Sequence, residues 1–176
     1  MKRIIVFLLS VAILFSCSEF IVDSGSKELE MQINCLLDQW HKDAADAQLE
    51  PYLALMHENS VYLGTDGTEN WTKTEFRSFC EPHFSKGKAW NFTCLERNVY
   101  SSDDQQTVFF DEILKTALGP CRGTGLFMKS NSDWKLKQYV LSILVDNKDI
   151  SGVLELKQVN DSILISNQEL LVNTDK

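Results

Sequence analysis

The sequence has no Cys-x-x-Cys pair, no His-x-His and no His-Glu-x-x-His, and only three histidines among its 176 residues. These absences remove the spacings by which zinc is usually held, so no metal site is expected. Nor is there any excess of basic residues: 17 lysines and arginines face 25 aspartates and glutamates, for a net charge of -8. Such a chain repels phosphate backbones, which argues against a nucleic-acid partner. The glycine-containing stretches "GTDG" (64–67) and "GTG" (123–125) lack the strand-to-helix setting and the spacing of a phosphate loop. No cofactor is therefore implied. There is no internal repeat, and no apolar run is long enough to span a bilayer and remain there.

What is present begins with an address. Lys2 and Arg3 precede an apolar run from Ile4 to Phe15, broken only by Ser10, and Cys17 follows. This is the layout of a secretory signal. Its ending, "LFSC", resembles the lipobox of bacterial lipoproteins, which implies cleavage of residues 1–16 and lipid attachment at Cys17. An ordinary signal peptide with an incidental cysteine is the alternative. Residues 17–27 then read as the lipidated cysteine and a polar tether. Several acyl chains on Cys17 would hold the protein to a membrane of the bacterial cell envelope without a spanning helix. Ser18 is compatible with the periplasmic face of the outer membrane. The remaining cysteines, Cys35, Cys80, Cys94 and Cys121, could form two disulfides in an oxidising compartment or serve as small buried hydrophobes. The sequence leaves both open.

Periodicity supplies the fold. Leu29, Ile33, Leu36, Leu37, Trp40, Ala44 and Ala47 recur every three or four residues, which predicts a long amphipathic helix over 26–47. A short helix carrying Pro51 in its first turn follows, then a strand at "SVYLG" and a turn at "TDGT". Thr72 and Glu75 have the spacing of a capping box, and Phe76, Phe79, Cys80, His83 and Phe84 share one face of the helix it would start. Beyond it the period changes to two, in runs at 90–100, 107–115, 121–129 and 134–144. Helices followed by consecutive strands predict an α+β fold with helices on one face of an antiparallel sheet. After Lys148 the pattern weakens, and residues 149–176 read as an extension or a loose tail.

The segments "YLGTDGTENWTKTEF", "KAWNF", "FFDEIL", "CRGTGLF" and "DWKLKQYVLS" resemble the SnoaL-like branch of the nuclear transport factor 2-like superfamily, over roughly Leu29 to Lys148. The resemblance implies a domain over 28–148 shaped as a cone, with a curved antiparallel sheet wrapped around the long helix and an apolar pocket inside. It does not imply one chemistry, since the superfamily includes isomerases, dehydratases, cyclases and domains that only bind or associate.

The candidate site therefore rests on side chains. Strand alternation lets only one of Asp111 and Glu112 face a cavity. Arg122 is read as leading an inward face with Thr124, Leu126 and Met128, where its guanidinium could hold a ligand carboxylate or form a cross-strand ion pair with one of those acids. Trp71, Phe76 and Trp90 would make an apolar wall, with Tyr139 adding a hydroxyl. Gly123 and Gly125 are read as accommodating a bend. His41 is placed on the solvent edge of the long helix, His57 at a helix end, and His83 at the pocket mouth. Three functions compete: a binding module holding a small apolar molecule with an acidic or carbonyl group through Arg122, an enzyme using Asp111 or Glu112 as general base, and a structural module forming a homodimer through the outer sheet face. An acid beside a guanidinium has a lowered pKa, which counts against the second.

Overall fold

The computed structural model describes residues 24–174, so the signal segment, Cys17 and most of the tether lie outside the described residues. Helix α1 spans Ser24–Ala45 and buries Leu29, Ile33, Leu37, Trp40 and Ala44, the stripe set by its three- and four-residue spacings. Each large side chain taken from water there contributes about 1.5–3 kcal/mol. Helix α2 (Leu49–Ala54) follows, with Pro51 in its first turn and Tyr52 and Leu53 in the core. Strand β1 (Met56–Leu63) turns through "GTDGTE" into the three-residue strand β2 (Asn70–Thr72). Helix α3 (Lys73–Phe84) starts at the expected capping box: the Thr72 hydroxyl accepts from the Glu75 amide, and the Glu75 carboxylate accepts from the Thr72 amide at 2.8 Å.

The remaining strands are β3 (Thr93–Ser101), β4 (Thr107–Thr116), β5 (Gly119–Ser130) and β6 (Asp133–Ile143). The six form one curved, unclosed sheet in the order β2-β1-β6-β5-β4-β3. The α+β cone is thus as expected, with one correction: β1 runs parallel to β6, so the sheet is not wholly antiparallel. The reason is topological. The chain leaves β1, passes through β2, α3 and three further strands, and returns on β1's open edge. Register shifts between Met56 and Val61, Cys94 and Glu96, and Leu126 and Phe127 bend the sheet. Its concave face presents Val108, Phe110, Glu112 and Leu114 from β4, and Leu136, Tyr139 and Leu141 from β6, to α1.

The four described cysteines are free thiols, and burial pushes the Cys80 thiol up to about 12, which removes it as a nucleophile near neutrality. After a 3-10 turn at Asn147–Asp149, Ile150–Thr174 forms a continuous helix, α4, in the stretch the sequence left as an extension or a tail. It holds one glycine, Gly152, and no proline, and its leucines, glutamates, lysine and glutamines supply propensity where a steady apolar stripe is absent. Leu154, Leu156, Val159, Ile163 and Ile165 are consequently exposed. No described helix is long and apolar enough to cross a membrane.

Candidate functional site

Where α3, β1, β2 and the segment before β3 converge, they enclose a cavity of about 300 Å³. Six aromatic side chains line it: Tyr62 from β1, Trp71 from β2, Phe76 and Phe79 from α3, and Trp90 and Phe92 from the segment entering β3. Leu141 and the 116–118 turn complete the wall. Tyr62 stacks on Phe76 at 3.9 Å and Trp71 on Phe79 at 4.5 Å, while Trp90 stands 6.2 Å from both Phe76 and Phe79. The floor is buried at Tyr62, Phe76 and Leu141, and the rim is exposed at Phe79 and Leu118. The sequence-predicted Trp71, Phe76 and Trp90 therefore come together.

The polar residues are arranged otherwise. Glu112 is fully buried on the concave face, but one layer behind the cavity wall. Its Oε1 accepts from the Tyr139 hydroxyl at 3.1 Å and lies 2.9 Å from His41 Nε2. Its Oε2 accepts from Arg97 Nε at 2.9 Å. Arg97 also donates to Asp38 at 2.8 Å and to Asn34, clamping β3 onto α1. Tyr139 and His41 touch the back of the wall, with ring centroids 5.4 Å from Tyr62 and 5.8 Å from Phe92. Burial alone would raise the Glu112 carboxyl, but the hydrogen bond and charge of His41, followed by those of Arg97, outweigh it and hold the group below its ordinary range. Burial, with Glu112 alongside, pushes the Tyr139 phenol well up, so it remains a donor.

Several placements correct the sequence reading. Arg122 is exposed, opposite Ile113 and Ser142, and has no ion pair among the described residues. The inward face of β5 is Cys121, Gly123 and Gly125, not Arg122, Thr124 and Leu126. Asp111 points outward with Phe109, where its carboxylate accepts from the Asn98 side-chain amide at 3.4 Å. The guanidinium that Glu112 needs comes instead from Arg97, which sequence reasoning missed because a register shift after Cys94 reverses the alternation of β3. His41 is buried rather than at the solvent edge. A signal for it existed: it lies four residues after Leu37 and three before Ala44, on the buried stripe. His57 lies in β1, not at a helix end, and its Nδ1 accepts from the Asn59 amide at 3.0 Å. His83 is exposed and in ring contact with Phe79 and Trp90, but does not line the cavity.

The outer sheet face, proposed from sequence as a dimer surface, carries the stacked pair Tyr100 and Phe109, each about half exposed. Among the described residues no three histidine, cysteine or carboxylate side chains converge as a metal site would require. The cavity offers apolar walls, and neither Asp111 nor Glu112 faces it as a base.

Residues 33–146 match the family model of a SnoaL-like domain. No curated protein matches the chain. Among solved structures, a nuclear transport factor 2-like protein of unknown function from Pseudomonas putida KT2440 superposes with a TM-score of 0.59 at 12% identity, covering 69% of this chain and 90% of that one. A cystatin-like-fold domain of unknown function from Nostoc punctiforme gives 0.59 at 13% identity over 80% of this chain and 98% of its own. The association domain of C. elegans CaMKII gives 0.58 at 14% identity over 68% and 98%. At these identities the likeness is one of fold.

Proposed function

The chain belongs to the SnoaL-like domain family, and from that premise we propose that it is a small-molecule binding domain whose ligand is an apolar molecule held in the aromatic cavity. The observation that carries this is the six-ring wall around about 300 Å³, with buried rings at its floor. An apolar pocket with few polar groups is the usual form of a small-molecule site. The acidic group expected on the ligand from sequence has no support here, because Arg122 lies on the other face of the sheet.

Naphthalene, a neutral two-ring probe, should bind the full-length protein in calorimetric titration. Trp71→Ala should weaken that binding about tenfold, the loss of one aromatic wall contact worth ~1.4 kcal/mol. Phe79→Ala, at the exposed rim, should weaken it without threatening the fold. Absent binding, or equal binding by wild type and both variants, overturns the proposal.

Attachment to the cell envelope through Cys17 belongs to the same proposal and rests on the sequence "LFSC". Cys17→Ser should move the protein from the membrane fraction to the soluble fraction. A variant that stays with the membrane refutes the lipid anchor.

A further inference from the structure

The charge inside the cavity is one-sided. Of the residues lining it, Glu69 is the one carboxylate, and none is lysine, arginine or histidine. The "GTDGTE" turn builds that position. The Gly64 amide donates to the Glu69 carbonyl at 2.9 Å, and the Asp66 carboxylate takes both the Thr68 amide (2.9 Å) and its hydroxyl (2.6 Å), closing the turn. Gly64 leaves the space the Glu69 carboxylate occupies, since a Cβ there would overlap Oε2. Among the described residues the carboxylate accepts one hydrogen bond, to Oε2 from the Asp66 amide at 3.1 Å, and Oε1 accepts none.

A half-buried carboxylate facing a ring-lined cavity has a definite electrostatic preference. Aromatic faces carry negative quadrupole charge and attract a cation, by about 2 kcal/mol when it is desolvated. The carboxylate adds attraction that a wall of low dielectric leaves poorly screened. An anion meets repulsion from both and loses its hydration. A neutral hydrocarbon fills the space but gains no attraction from the carboxylate.

We propose that the ligand is an organic cation: an amine or quaternary ammonium head with an apolar body, its positive charge held between Glu69 and the rings of Trp71, Phe79 and Trp90. The inference rests on the binding reading above and gives it a ligand class. It also gives the "GTDGTE" turn a purpose, that of holding one acid at the cavity wall.

The test uses a pair of probes of equal shape: benzyltrimethylammonium and neopentylbenzene, in which carbon replaces the charged nitrogen. Calorimetric titration of the full-length protein should show the cation binding at least tenfold more tightly. Glu69→Gln should weaken the cation at least tenfold and leave neopentylbenzene unchanged. Equal or tighter binding of neopentylbenzene by wild type overturns the cation class while leaving the apolar cavity reading intact, and so does a cation preference that survives Glu69→Gln. Binding of neither probe removes both. The wild-type comparison needs no variant to fold, so the proposal stays testable whatever Glu69→Gln does.

Discussion

Glu112→Ala should destabilise the protein by about 3–5 kcal/mol at pH 7, because removing one member of a buried ion pair leaves the other uncompensated. Arg97, only 6% exposed, would lose its partner at Oε2, and His41 and Tyr139 would lose theirs at Oε1. The clamp between α1, β3, β4 and β6 would then hold only through Arg97 with Asp38 and Asn34 at its edge. In a chain of this size the expected fall in Tm is roughly 6–20 °C. Glu112→Gln keeps the shape and part of the hydrogen bonding, so its loss should be smaller. The comparison also fixes a pH dependence. The folded carboxyl lies below its unfolded range despite burial, because His41 and Arg97 favour the charged form. Its stabilisation is therefore complete above the unfolded carboxylate pKa of about 4.3 and lost as pH falls from there through the folded value. Urea denaturation of wild type and Glu112→Gln should show a gap at pH 7 that narrows on acidification through that window. A Glu112→Ala protein within about 1 kcal/mol of wild type would mean that the cluster is not what joins the helix to the sheet.

That the decisive acid is Glu112 could be only half read from the sequence. Alternation said that one of Asp111 and Glu112 points inward, and the apolar neighbours of both made the choice a tie. Register decides it, since Glu112 lies opposite both Arg97 and Gly123. Trp71, Phe76 and Trp90 were legible as a wall because each sits at the end of an element with an apolar face. The stripe of α1 and the capping box of α3 were legible for a related reason: contacts three or four residues apart are written locally. What could not be read depends on pairing at long range. The parallel β1–β6 contact and the bulges of β3 and β6 have no local signature, and each bulge changes which side chains point inward. Arg122 was misassigned because the true inward face of β5 carries two glycines. With no side chain there, the face that packs most tightly showed no apolar period, and Thr124, Leu126 and Met128 offered a false one.

Those glycines yield the second large effect. Gly125→Ala should cost about 1–3 kcal/mol, the range for overpacking a filled core. A Cβ there would stand 2.6 Å from Phe110 Cζ and 2.7 Å from the Gln138 carbonyl oxygen, so no side-chain rotation alone can clear it. At Gly123 the obstacles are different: a Cβ would overlap the Tyr139 hydroxyl and sit 3.0 Å from Glu112 Cγ. The close approach of these side chains, rather than the bend alone, is why glycine stands at both positions. The difference makes a prediction that a bend would not. Tyr139→Phe removes the clashing oxygen, at the cost of the hydrogen bond to Glu112, so it should restore part of the stability lost by Gly123→Ala. It should do nothing for Gly125→Ala, whose clashes are with Phe110 and the β6 backbone. Denaturation midpoints of the two single-glycine variants, Tyr139→Phe and both doubles form two mutant cycles. Favourable coupling of at least about 0.5 kcal/mol in the first cycle and none in the second is the expected result. Additivity in both would show that the Gly123 methyl is not resisted by the tyrosine oxygen, and would return that glycine to the sheet's curvature.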